Sequence, residues 1–221
     1  MKELKITILT DNPNSWIIPF VEDLKKELVE HKVTHIFSAS DALEGDIMLI
    51  LGCEKIIKSE YLTRHKSNIV VHPSGLPKGK GFSPLAWQII EGINTIPVTL
   101  FEAVEKIDAG EIYLLDYIKL NGSELNDEIK CKQGSITKKM IHEYINNFPN
   151  IKGIPQNGEE TFYKRRTSES SELSIDLSIK EQFNTLRVVD NERYPAYFKY
   201  KDEKYIVKIY KDDKKNQLSN S

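Results

Sequence analysis

Residues 70–84 read Val-Val-His-Pro-Ser-Gly-Leu-Pro-Lys-Gly-Lys-Gly-Phe-Ser-Pro: an apolar run ends in His72, and the loop after it is too rich in proline and glycine to be regular structure. Histidine is the side chain whose ionisation lies closest to neutrality, so it suits a group that donates or shuttles a proton. Further on, Lys106-Ile107-Asp108-Ala109-Gly110-Glu111-Ile112 supplies a carboxylate in a turn. A carboxylate beside an imidazole can orient the ring and accept a proton. The remaining histidines, His31, His35, His65 and His142, have no companions at metal-ligand spacing, and no metal site is expected.

The elements that must position these residues follow from hydrophobic patterning. Leu4–Leu9 reads as a buried strand, and residues 17–31 place Phe20, Val21, Leu24, Leu28 and Val29 on one helical face. Strands are expected at 33–37, 46–51 and 69–72, with a helix around 56–65. Strand and helix in alternation imply right-handed crossovers and an open, mostly parallel α/β sheet of Rossmann-like type. Ligands of such sheets bind beyond the carboxyl ends of the strands, which draws attention to loops 52–55, 73–81 and 101–110. Ser83-Pro84 reads as the N-cap and first residue of a helix through Glu91.

After Gly110 the pattern predicts a strand over 112–120, a long helix over 124–148 weakened by Gly134, and a short helix over 177–188 resting on Leu177, Ile179, Phe183 and Leu186. Segments 197–200 and 204–210 predict a β-hairpin, and 211–221 a frayed polar tail. The expected organisation is a catalytic α/β domain over 1–150 and a small C-terminal α+β subdomain over 151–221, its aromatic stretch 194–210 able to cover a dimer seam.

The 221 residues carry 31 Lys and Arg against 33 Asp and Glu, a formal charge of −2. That balance gives no global electrostatic reason to bind nucleic acid. The 2 cysteines, Cys53 and Cys131, read as unpaired thiols in a reducing compartment. With neither a signal-peptide core nor a membrane-length apolar run, a cytoplasmic location without a membrane partner is expected.

The His72 loop, followed by Ser83-Pro84, Trp87, Gly92, Pro97-Val98-Thr99 and the Asp108 turn, resembles the folate-dependent formyltransferases. These include the methionyl-tRNA, glycinamide ribonucleotide and sugar N-formyltransferases. The stretches 162–167, 179–184 and 190–198 look like the short C-terminal region of bacterial sugar N-formyltransferases. In length and tail the chain is most similar to those of pseudaminic-acid-type pathways. The resemblance implies transfer of a formyl group from 10-formyltetrahydrofolate to the amine of a nucleotide-activated amino sugar, such as a UDP-linked 4-amino-4,6-dideoxyhexose.

It also implies roles: His72 stabilises the oxyanion of the tetrahedral intermediate and Asp108 is the carboxylate. Gly52, Ile56 and Ile57, with Phe101, Glu102, Ala103, Val104 and Lys106, frame the folate pocket. Ser74, Lys78, Gly79, Lys80, Trp87, Arg165 and Arg166 are the candidate substrate contacts, the arginines for a diphosphate. One departure stands out. The family's Asn-x-His pattern has Val70 at the Asn position. Asn68 shares the strand face of His72, yet four residues put it about 13 Å away. A missing oxyanion donor typically costs ~10²–10³ in rate, so a backbone N–H, a water or Ser74 is expected to substitute. A methionyl-tRNA substrate is disfavoured by the lack of a sizeable basic C-terminal domain. Glycinamide ribonucleotide is disfavoured by the extra tail and by Val70, the one feature that favours a non-catalytic folate or nucleotide binder.

Overall fold

The computed structural model describes residues 2–212; the expected tail from 213 onward, with Leu218, lies outside them. Along the chain run β1 (Lys5–Leu9), α1 (Ile18–Glu27), β2 (Lys32–Ile36), β3 (Gly45–Ile50), α2 (Ser59–Leu62), β4 (His65–His72), β5 (Lys80–Gly81), α3 (Pro84–Ile90), β6 (Thr95–Glu102) and β7 (Ile112–Lys119). Then come α4 (Asn126–Asn147), β8 (Phe162–Tyr163), α5 (Ile179–Arg187), β9 (Ala196–Tyr200) and β10 (Glu203–Val207).

A six-stranded sheet runs in the order β2-β1-β3-β4-β6-β7. Its first four strands are parallel, and β6 and β7 are antiparallel additions. The expected mostly parallel α/β sheet is therefore present. Strand β3 shows why its sequence is continuously apolar: Ile47 and Leu49 enter the main core, while Met48 and Ile50 enter a second cluster with Leu9, Ile36 and Leu62. Both faces are covered, as a central parallel strand requires.

The main core is closed by Val21 and Leu24 of α1 and by Met140, Ile141 and Ile145 of α4. Gly134 serves this packing, since a Cβ there would meet the Phe20 ring at 2.3 Å. A helix-weakening residue is thus where α1 and α4 approach each other.

Local readings needed several corrections. Helix α1 stops at Glu27 and leaves Val29 77 % exposed. The helix expected over 56–65 is only the short α2, and β4 begins at His65 rather than at 69. Strand β6 is not among the strands expected from patterning, and its last two residues, Phe101 and Glu102, fall where a loop is expected. Ser83 sits at φ +52° and makes no side-chain capping bond. Leu177, which precedes α5, and Ile179 within it lie exposed, while Gln182, Leu186 and Arg187 are buried. The hairpin forms as β9–β10, with Lys201 and Asp202 both at positive φ, the conformation of a two-residue hairpin turn.

The segment after residue 150 is tied into the sheet domain. Ile154 exchanges backbone hydrogen bonds with Ile112 at 2.9 and 2.8 Å, β8 pairs with β5, and Val188 belongs to the main core. Fully buried Arg187 donates to Asn94 at 2.6 Å and lies 3.8 Å from Glu124.

Candidate active site

His72 ends β4, buried to 7 % exposure, and its Nε2 lies 2.8 Å from the Gly79 carbonyl. A carbonyl only accepts, so Nε2 carries the proton and the neutral ring keeps a lone pair on Nδ1. Nδ1 has no hydrogen-bond partner among the described residues. Two residues beyond Gly79, the Gly81 N–H donates to Asp108 Oδ2 at 2.8 Å. His72 and Asp108 therefore hold opposite ends of one tripeptide, Gly79-Lys80-Gly81. Gly81 is at φ +92°, and a Cβ would stand 2.5 Å from the Tyr163 carbonyl, so only glycine fits between the aspartate and β8.

The tripeptide is secured from the C-terminal segment. Thr161 Oγ1 accepts from Gly79 N at 2.8 Å, and the Thr161 carbonyl from Lys80 N at 2.9 Å. Lys80, 1 % exposed, donates to Glu160 at 2.7 Å. The Asp108 turn has its own brace. Asp108 is at φ +48°, and the Gln156 amide donates to the carbonyls of Asp108 and Gly110 at 2.9 and 2.8 Å. Gln156, Glu160 and Thr161 escape a sequence reading because nothing local connects them to residues 46 to 82 positions earlier.

His72 and Asp108 line one cleft of about 910 Å³. Of the expected folate residues, Gly52, Ile56, Ile57, Phe101, Ala103 and Val104 line it. The Phe101 ring stands edge-on to His72, with centroids 6.4 Å apart. The 52–57 loop is held by Asp11, whose Oδ2 accepts from the backbone N–H groups of Glu54 and Lys55 at 2.7 Å each. Burial, then the neighbouring Asp11, pushes the Cys53 thiol up to about 12, which makes it a packing residue rather than a nucleophile.

Other expected contacts are turned elsewhere. Glu102 faces away from the cleft and accepts from Ser67 Oγ at 2.6 Å, Asn68 N at 2.5 Å and Tyr113 Oη at 3.1 Å. Burial raises its pKa, and its work is to join β4, β6 and β7. Lys106 is exposed and pairs with Glu160 at 3.2 Å. Lys78 is exposed off the cleft, and Lys80 is spent on Glu160. Ser74 is 1 % exposed beneath Gly79, so its hydroxyl does not reach the cleft to replace the missing amide. Asn68 commits Nδ2 to the Leu62 carbonyl at 3.0 Å. Trp87 stacks on Tyr163 and donates Nε1 to the Lys164 carbonyl at 2.8 Å, a structural use of the ring.

Arg165 and Arg166 both reach the cleft wall. Arg165 is ion-paired with Glu54 and lies over the Phe82 ring, bridging the C-terminal segment to the loop after β3. Across the wall Lys55, Lys130, Lys164, Arg165, Arg166 and Arg193 outnumber Glu54, Asp108 and Asp190, so the cleft is net positive although the whole chain is not. Among the described residues no group of three or more His, Cys, Asp or Glu could hold a metal ion, and no helix is long and apolar enough to cross a membrane.

The family model described as formyl transferase matches residues 17–145. The methionyl-tRNA formyltransferase of Finegoldia magna is 25 % identical over 180 residues, which are 79 % of this chain and 57 % of that protein. The chain thus spans a little under three fifths of that relative's length. A methionyl-tRNA formyltransferase structure from Clostridium thermocellum superposes with a TM-score of 0.78 at 27 % identity, covering 91 % of this chain and 90 % of that one. A sugar N-formyltransferase from a Shewanella species gives 0.71 at 14 % identity, covering 95 % and 98 %, a likeness of fold.

Proposed function

The chain belongs to the formyl transferase family, and from that premise we propose that it transfers a formyl group from 10-formyltetrahydrofolate to the amine of a nucleotide-activated amino sugar. One observation carries the reading: His72 and Asp108 hold the two ends of Gly79–Gly81 and face the same cleft. The cleft suits a flat reduced folate. Ile50, Leu62, Val70, Phe101 and Ala103 give it an apolar floor, and Gly52, at φ +64°, brings bare backbone to its edge. Ile56, Ile57 and Val104 would flank such a donor.

When bound, that donor supplies a formyl carbon attached to a nitrogen that can leave. His72 Nδ1, a lone pair while the ring is neutral, takes the proton released as the amine bonds to the formyl carbon; the ring then donates toward the developing oxyanion, and the proton passes to the folate nitrogen as its bond to that carbon breaks and tetrahydrofolate leaves. Asp108, with one carboxylate oxygen not held by Gly81 and on the wall of the same cleft, would offset the positive charge of the protonated ring. Val70 offers no side-chain donor, which leaves main-chain N–H groups and solvent to meet the developing charge.

The test is transfer of labelled formyl from 10-formyltetrahydrofolate to UDP-linked 4-amino sugars. No transfer to any amino-sugar nucleotide, with the folate bound normally, defeats the sugar reading. Aminoacyl-tRNA as acceptor is the second reading, favoured by the names of the relatives that match in sequence. Transfer to methionyl-tRNA alone would install it.

A further inference from the structure

Among the described cations of the cleft wall, Arg166 alone is both withdrawn from solvent and without a carboxylate. Arg165 is neutralised by Glu54, Lys130 by Asp190 at 3.2 Å, and Lys55, Lys164 and Arg193 lie exposed. Among the described residues Arg166 makes only two long bonds, both to neutral acceptors, Nη1 to the Val188 carbonyl at 3.2 Å and Nη2 to Ser171 Oγ at 3.4 Å. Its Nε is buried with no partner. A guanidinium stays ionised in proteins, and a half-buried charge without a counter-ion is costly. Burial accordingly lowers its pKa. A planar fork with free donors on a cavity wall matches a phosphate.

Its position relates this charge to the chemistry. Tyr163 is in register with Gly81, whose N–H holds Asp108, and Arg166 follows three residues later. Three residues span at most about 11 Å, so the guanidinium is rooted within roughly a sugar phosphate's length of that strand pair. From α4, the side-chain amides of Asn126 and Gln133 line the same cleft with no hydrogen-bond partner among the described residues.

We propose that Arg166 anchors the phosphate or diphosphate of the acceptor, a phosphorylated small-molecule amine, with Asn126 and Gln133 reading the groups attached to it. The amine rests on the formyl-transfer reading; the anion site stands on the geometry alone.

Calorimetry on the full chain, with UDP and inorganic pyrophosphate as probes, tests the anchor, and a separate titration with 5-formyltetrahydrofolate tests the donor side. The wild type is expected to bind both anions, more weakly as salt rises. Arg166→Gln weakens them about 10- to 100-fold, the scale of a lost charge-assisted contact, and Arg166→Lys recovers part. Arg165→Gln changes them little, because Glu54 already occupies that charge. All variants bind the folate normally. Equal anion affinity in wild type and Arg166→Gln, or no binding to wild type, overturns the anchor while a bound folate leaves the formyl-transfer reading standing. Anions bound without folate do the reverse. Displacement of UDP by a tRNA acceptor-arm hairpin in wild type but not in Arg166→Gln would overturn the small-molecule assignment.

Discussion

Among single residues, His72 and Asp108 carry the proposed chemistry, and Val70 stands where the family pattern has asparagine. Asp108→Asn is the cleanest probe, because asparagine tolerates the left-handed backbone at φ +48° and keeps an acceptor for Gly81 N while losing the charge. Turnover is expected to fall ~10²–10⁴-fold with an unchanged melting temperature; wild-type rates would remove Asp108 from the chemistry. Val70→Asn restores the amide that the family pattern holds. It is expected to raise kcat by up to ~10²-fold and to cost about 1–3 kcal/mol, since Val70 packs with Leu9, Met48 and Ile50. Slower turnover at intact stability would show that another donor already fills that role. The structure brings to one cleft two segments that stand out locally in sequence, the Pro- and Gly-rich loop after the apolar strand ending in His72 and the Asp-x-Gly turn of Asp108. Glu102, Lys80 and Trp87 were not legible in sequence, because their direction is decided by partners far along the chain, Glu160 for Lys80 and Tyr163 for Trp87.

At the scale of elements, the site depends on how strands and helices are pinned from outside themselves. Periodicity revealed β1, β3 and α4, whose apolar faces are long. It missed β6, an antiparallel insertion between β4 and β7, and overextended α2, whose apolar residues serve the cleft mouth instead of a helix face. The turn before α4 shows a second kind of pinning. Glu124, 3 % exposed, is pushed up by burial but pulled down further by Lys132 at 2.9 Å and by the N–H groups of Asn121 and Gly122, to about 2. A folded pKa below the ordinary 4.5 stabilises the native state fully above pH 4.5 and loses that contribution as pH falls toward 2. Urea midpoints across that window should show the wild type losing on the order of 3 kcal/mol that Glu124→Gln does not lose. Parallel curves for the two proteins would contradict this.

Across the whole molecule, the segment after residue 150 packs into the sheet domain and braces the cleft. It supplies Gln156, Glu160 and Thr161 to the His72–Asp108 loop, Val188 to the main core and Arg187 to the pair with Glu124. We propose that 151–221 is an annex without independent stability, so calorimetric unfolding should show one transition. Two separate transitions would divide the chain at that seam. Single-turnover transfer of labelled formyl from 10-formyltetrahydrofolate to UDP-4-amino-4,6-dideoxyhexose, compared among wild type, His72→Ala and Asp108→Asn, tests the proposed site and acceptor together. Label should enter the sugar amide with stoichiometric release of tetrahydrofolate in the wild type and be nearly absent in both variants, which still bind the folate. Equal transfer by all three proteins would contradict the account.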